Sequence, residues 1–136
     1  GSAAYVFTSE GMSFDEYFDI EDSLDEKEML FRFGLGLAPA MLQRQYFRPT
    51  TIDFDQHAAP SIVSGILLAA SLTTTLGAKI LLGKPVAIAP HSVHFDPYVE
   101  KSRCPYLPWG HRSWVRRLIR AIARQLYLKK GKSMKY

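Results

Sequence analysis

The longest stretch with almost no charge is Ala59–Pro85, APSIVSGILLAASLTTTLGAKILLGKP. Ser61 is a natural helix N-cap, and Gly83 and Pro85 are stop signals at the other end. The pattern predicts a helix of about 22 residues, Ser61–Leu82, roughly 33 Å long at 1.5 Å per residue. A helix that is apolar on nearly all sides is normally covered on most of them.

The composition of this helix favours cover by polypeptide over lipid. About 20 predominantly apolar residues can cross a bilayer, so length alone permits a span. However, Ser64 and Thr73–Thr75 are polar, Lys79 is charged, and no aromatic belt precedes the helix. Its many small residues allow another helix to approach closely, so we expect a subunit interface. The residues expected there are Ser64, Leu67, Leu68, Ala70, Ser71, Thr74 and Thr75.

Two capping boxes are expected near the N-terminus, after a predicted strand at Ala4–Thr8. Ser13 precedes Glu16 by three residues, and Ser23 precedes Glu26 by the same distance. In this motif the hydroxyl accepts from a helix amide while the glutamate reaches back to the cap. The first box predicts a single helical turn, and the second predicts a longer helix.

That second helix is predicted to run from about Leu24 to Phe33 and to end at Gly34 and Gly36. A further short helix is predicted from Pro39 to about Tyr46, with proline in its first turn.

The segment after the long helix is predicted to be one bent strand. Val86–Ala89 is β-prone, Pro90 interrupts it, and Ser92–Asp96 alternates apolar and polar residues. Because proline cannot donate to a strand ladder, this strand is expected at a sheet edge.

After a proline-rich linker, PYLPWG, the pattern predicts a basic amphipathic helix. Its apolar residues are Trp114, Val115, Leu118, Ile119, Ile122 and Leu126, and its arginines are Arg112, Arg116, Arg117, Arg120 and Arg124. Residues 1–111 hold all 13 acidic and 8 of the 17 basic residues, whereas residues 112–136 hold 9 basic residues and no acidic one. The chain therefore has an acidic body and a basic tail.

Three interpretations of the basic helix remain open. It can dock on its own domain, with the arginines in solvent or facing the acidic body. It can lie on an anionic membrane surface. It can also contact nucleic-acid phosphates.

The residues alone show no complete active site. His91 and His94 are expected on opposite faces of a strand, which disfavours a shared metal. Asp53 and Asp55 can share a cation but are more typical of a solvated loop. Cys104 is next to an arginine, yet no histidine forms a nucleophile–base motif with it.

Gly34-Leu35-Gly36 lacks the preceding strand and the third glycine of a phosphate-binding loop. With one cysteine, no disulfide is expected within the chain, and no CxxC zinc pair is present. No signal peptide is evident at the N-terminus. These features favour a cytoplasmic location, and we assign no catalytic, cofactor-binding or metal-binding residue.

Several segments resemble the C-terminal part of ThiF/MoeB domains, relatives of ubiquitin-activating enzymes. They are Gly11–Phe14, Leu35–Pro39 and Ala78–Gly83, together with the FDPY sequence that begins at Phe95. The resemblance covers roughly residues 4–100. Members of this family use ATP and magnesium to adenylate the C-terminus of a ubiquitin-like or sulfur-carrier protein.

The resemblance implies a partial Rossmann-like α/β domain with a long buried helix, few strands at the edge of a mixed sheet, and a basic C-terminal helix. The nucleotide site of the family lies in its N-terminal half, so this chain is expected to be inactive alone and to bind no cofactor itself. Its expected partners are a second copy or that N-terminal half, and a ubiquitin-like carrier protein. We divide the chain into residues 1–103, the ThiF-like part, and 104–136, the linker and basic tail.

The alternative function is a non-catalytic interaction or membrane-surface module that acts through the basic helix.

Overall fold

A computed structural model of the chain describes residues 1–37, 40, 42 and 62–133, without the side chains of 126–133. Within these ranges it shows a mixed α/β arrangement of helices and short strands. The strands are β1 (Ser2–Ala4), β2 (Val93–Asp96) and β3 (Lys101–Arg103). The helices are α1 (Phe14–Phe18), α2 (Glu26–Gly36), α3 (Val63–Leu81) and α4 (Trp114–Ser133), and a 3₁₀ turn at Gly110–Arg112 precedes α4.

The three strands form an antiparallel sheet in the order β1-β2-β3. Ser2 lies opposite Phe95, and His94 lies opposite Arg103. The strand at Val93–Asp96 is confirmed, but the expected edge position is wrong because β2 pairs on both sides. Residues 86–89 do not form a strand, so the proline that follows them lies before β2 and removes no donor from its ladder.

The N-terminal strand is earlier and shorter than expected, at Ser2–Ala4 instead of Ala4–Thr8. The register of β1 on β2 ends at the pair Ala4 and Val93, where β2 begins. Beyond that point β2 offers β1 no further partner.

The first capping box is confirmed and the second is wrong. The Ser13 hydroxyl accepts from the Glu16 amide, and the Glu16 carboxylate accepts from the Ser13 amide. In α2, Asp25 is the N-cap and accepts from the amide of Glu28 at 2.7 Å. A carboxylate is as good a cap as a hydroxyl, so Asp25 takes the role expected of Ser23.

The core is a small aromatic cluster centred on α1. Tyr17 and Phe18 are fully buried, with Ala89 and Leu107 beside them. α2 continues through both of its glycines, and its last residue, Gly36, packs on Phe18. A Cβ at Gly36 would lie 2.5 Å from Cδ1 of Phe18, so glycine permits this close contact.

The segment before α4 packs against this core. Gly110 has φ +52°, and a Cβ there would lie 2.6 Å from the carbonyl oxygen of Tyr17. His111 is buried beside Tyr17 and Phe18, with its ring parallel to that of Phe18. The 3₁₀ turn therefore holds the start of α4 on α1.

The long apolar helix is confirmed within two residues of its predicted bounds, but this chain does not bury it. No residue of α3 is buried, and its contacts with other elements are mainly with β1. The expectation of a long buried helix is therefore wrong for the single chain. The sheet has three strands of three or four residues and covers only a small part of the helix.

Two further helices were predicted, one at Pro39–Tyr46 and one in the basic C-terminal segment. Of the helix predicted at Pro39–Tyr46, only residues 40 and 42 are among the described residues, so this prediction is not tested. The backbone of α4 is helical to Ser133, in the region where the basic helix was expected.

Candidate functional site

α3 is the first candidate site, because the predicted interface residues lie along its accessible surface. Leu67 exposes 65% of its surface and Leu81 exposes 89%. Several large aliphatic side chains exposed on one helix are typical of an interaction surface. No other described element of this chain covers them. Of the predicted set, Leu68 is half-buried and the others, Ser64, Leu67, Ala70, Ser71, Thr74 and Thr75, are exposed.

α3 also meets the length and composition criteria for a membrane span. It has 19 residues, Val63–Leu81, and none of the 18-residue stretch that meets these criteria is buried. The hydroxyl of Thr74 donates within the helix, to the carbonyl oxygens of Ala70 at 2.8 Å and Ser71 at 3.1 Å. Such internal bonds reduce the cost of a hydroxyl in an apolar setting, whether that setting is protein or lipid.

Arginines from three elements surround one aspartate of the acidic body. Asp19 is the left-handed C-cap of α1, with φ 59°, and is almost fully buried. Nη2 of Arg120 lies 2.6 Å from Oδ2 of Asp19, and Nη1 of Arg32 lies 3.4 Å from the same oxygen. Nε of Arg112 and Nη2 of Arg117 lie 3.6 and 3.7 Å from Oδ1. We call Asp19 with these four arginines the Asp19 cluster.

A second acidic residue extends this contact along α4. Glu28 on α2 accepts from Nε of Arg32 at 2.8 Å and from Nη2 of Arg124. The arginine face of α4 is therefore directed at the acidic body. These ion pairs support the interpretation in which the basic helix docks on its own domain.

The apolar side of α4 points away from that contact. Trp114 exposes 77% of its surface, and Leu118 and Ile122 each expose 54%. Residues at positions i, i+4 and i+8 lie on one helix face, so these side chains form a continuous stripe. The helix docks by its charges and leaves an apolar stripe uncovered in this chain.

An open cleft of about 640 Å³ lies beside the 3₁₀ turn. Its walls include the side chains of Glu10 and Glu16, the rings of His91 and Trp109, and Arg112. Hydrogen bonds from Ser13 lower the pKa of the Glu16 carboxyl, so this group is anionic at neutral pH. The cleft combines aromatic surface with both signs of charge.

Two histidines are buried in the core rather than placed at a reactive surface. Nε2 of His94 lies 2.9 Å from the hydroxyl of Ser92, and both residues are fully buried. Burial lowers the pKa of His94 to about 4. Burial also lowers the pKa of His111 to about 4, assisted by the charges of Arg116 and Arg120. A serine–histidine pair without solvent access cannot meet a substrate.

The other described candidate residues named from the sequence do not come together in one site. His91 forms an isolated bridge with Tyr106, whereas His94 is buried in β2. Cys104 is an exposed free thiol. Among the described residues, no group of three or more histidine, cysteine or acidic side chains is placed to hold a metal. Asp53 and Asp55 lie outside the described residues.

Comparison with family models, with curated proteins and with solved structures finds no match to this chain.

Asp19 is the residue that sequence reasoning missed. The closest partner of its carboxylate, Arg120, lies 101 residues later in the chain, and no local motif connects the two. The available signal was general: an acidic body facing a tail that has arginines and no acid. The buried position of His111 was missed as well, because the segment around it was interpreted as a linker.

Proposed function

We propose that this chain is the C-terminal part of an ATP-dependent adenylyltransferase domain of the ThiF/MoeB type. The complete domain would activate the C-terminus of a ubiquitin-like or sulfur-carrier protein in the cytoplasm, and the chain would be inactive alone. ATP and magnesium would be bound by the N-terminal part, where this family carries its glycine-rich loop. The proposal therefore gives the present residues a structural role and no catalytic one.

The observation that carries the proposal is α3, a 19-residue apolar helix with no buried residue. A helix of this composition is stable in water only when another surface covers it. In the proposal that surface is polypeptide: a second copy of the chain, the N-terminal part of the domain, or both. The parallel part of a Rossmann-like sheet would also belong to the N-terminal part, since the described strands are antiparallel.

Polar groups along α3 favour polypeptide over lipid as the cover. The helix carries Ser64, Ser71 and Thr73–Thr75, and Lys79 lies in its last turn. Hydroxyl and ammonium groups cost free energy in hydrocarbon, whereas a protein surface can offer them hydrogen-bond partners.

The test is ATP–pyrophosphate exchange with a ubiquitin-like acceptor, measured for the chain alone and together with the segment encoded upstream of it. We expect no exchange by the chain alone and exchange by the combination. Ala70→Arg, which puts a charge in the centre of α3, should abolish the exchange of the combination, and Lys84→Ala outside the helix should not. Exchange by the chain alone, or an upstream sequence without a nucleotide-binding loop, would refute the proposal.

A second candidate function is a non-catalytic module that binds membrane surfaces or proteins through α4. The specific observation in its favour is the exposed stripe of Trp114, Leu118 and Ile122. In a flotation assay with anionic vesicles, this function predicts binding that Trp114→Gln with Leu118→Gln removes. Trp109→Gln, which changes a similarly exposed tryptophan outside α4, is the matched control.

A further inference from the structure

The Asp19 cluster contains more positive charge than its one carboxylate can neutralise. Four guanidinium groups lie within 3.7 Å of the two oxygens of Asp19. Including Arg124 and Glu28, these described ion pairs join five arginines to two carboxylates, a formal excess of three positive charges among the paired groups. Such an excess is unfavourable unless it is offset by solvent or by a bound anion.

The arginines of the cluster differ in their exposure and in their distance from Asp19. Arg120 is 14% exposed and lies 2.6 Å from Asp19, so it is the partner that neutralises the carboxylate. Arg32 is similarly shielded and also bonds to Glu28. These two side chains form the inner, largely buried part of the cluster.

Arg112 and Arg117 form the outer part of the cluster. They expose 45% and 59% of their side chains, and their contacts with Asp19, at 3.6 and 3.7 Å, are longer than hydrogen bonds. Both reach the same oxygen, Oδ1, so the two contacting nitrogens can be no more than about 7 Å apart. The donors of Arg112 and Arg117 that do not face Oδ1 are therefore available to a ligand on the solvent side of these two side chains.

Two acids of the neighbouring cleft, Glu10 and Glu16, reduce the excess without removing it. The hydrogen bonds from Ser13, and after them the charge of Arg112, lower the pKa of the Glu16 carboxyl. The principal hydrogen bonds of Glu16 come from the amide and hydroxyl of Ser13, which hold it at the N-terminus of α1. Glu16 is therefore held by Ser13 and leaves the outer arginines accessible.

We propose that Arg112 and Arg117 form a binding site for a phosphate group. Guanidinium groups match phosphate in charge and in planar, two-pronged hydrogen-bond geometry. The phosphate can belong to a soluble ligand or to a lipid headgroup, since the cluster is open to solvent. This site differs from the nucleotide site of the proposed adenylyltransferase, which would be in the N-terminal part.

The test compares the full chain with the double variant Arg112→Gln/Arg117→Gln. Arg32 and Arg120 remain in this variant and keep Asp19 neutralised, so we expect it to fold. Binding of inorganic tripolyphosphate is measured by calorimetry in low-salt buffer, and binding of phosphatidic acid vesicles by flotation. The matched control is Lys84→Gln/Lys101→Gln, which removes the same charge from residues outside the cluster.

We expect the double variant to bind roughly tenfold more weakly, or weaker still, while the lysine control binds as the unaltered chain does. Loss of tripolyphosphate binding would show a soluble phosphate as ligand, and loss of vesicle binding alone would show a lipid headgroup. Equal losses in the arginine and lysine variants, or no binding of either probe, would overturn the site. If the double variant does not fold, Arg117→Gln is used in its place, because Arg117 is the most exposed arginine of the cluster.

Discussion

The two buried histidines predict that this fold loses stability as the pH falls from neutral. His94 is completely inaccessible and His111 is 6% exposed. Burial lowers the pKa of each to about 4, from 6.5 for the free side chain. Between these two pH values the unfolded chain binds protons that the folded chain does not, so acid favours unfolding.

The size of this loss of stability follows from the pKa shifts of the two histidines. One pKa unit corresponds to about 1.4 kcal/mol, and stability changes by that amount per pH unit for each proton taken up. Between about pH 7.5 and 5, each histidine then removes about 2 kcal/mol, and the pair removes about 4 kcal/mol. Such a loss is a large fraction of the total stability of an ordinary domain, about 5–15 kcal/mol.

The assay is urea unfolding followed by circular dichroism at several pH values from about 7.5 to 5. Stopping at about pH 5 leaves the titration of most carboxyl groups outside the range. His111→Phe keeps an aromatic ring beside Phe18 and removes one titrating group, so it should halve the loss. Trp109→Phe, which changes an exposed aromatic ring and removes no imidazole, is the control and should leave the loss unchanged. A free energy of unfolding that stays constant across this pH range would refute the assignment of these histidines as neutral core residues.

Three further predictions concern stability. Gly36→Ala should destabilise the fold by about 1–3 kcal/mol through overpacking on the core, whereas Gly77→Ala, at an open helical position, should not. Equal melting temperatures of the two variants would contradict the close packing of α2 on the core. Asp25→Ala should cost about 1 kcal/mol and Ser23→Ala almost nothing in chemical unfolding, because Asp25 is the cap; the reverse order would restore the capping box expected from the sequence. Arg120→Ala should lower the free energy of unfolding by about 2 kcal/mol, since it removes the closest partner of a buried carboxylate. An unchanged midpoint of chemical unfolding would mean that the other arginines compensate fully.

Local patterns predicted the parts of the fold that depend on neighbouring residues. The bounds of α3 follow from its stop signals and apolar run, and the capping box at Ser13 depends on a residue three positions away. The cap of α2 was misplaced because Asp25 and Ser23 are both good caps, and sequence spacing alone does not rank them.

Long-range contacts could not be predicted in this way. The position of β2 in the sheet depends on pairing with both Ser2–Ala4 and Lys101–Arg103, which are remote from each other in the chain. The Asp19 cluster likewise joins α1, α2 and α4 through ion pairs that leave no periodic signal. The sequence indicated an acidic body and a basic helix, and the structure shows which carboxylates those arginines reach.

Sedimentation equilibrium of the purified chain in buffer without detergent shows whether polypeptide covers α3. With no N-terminal part present, we expect a dimer or larger oligomer that Ala70→Arg shifts to monomer. A soluble monomer at all concentrations, or a chain that needs detergent even together with the N-terminal part, would contradict cover by polypeptide.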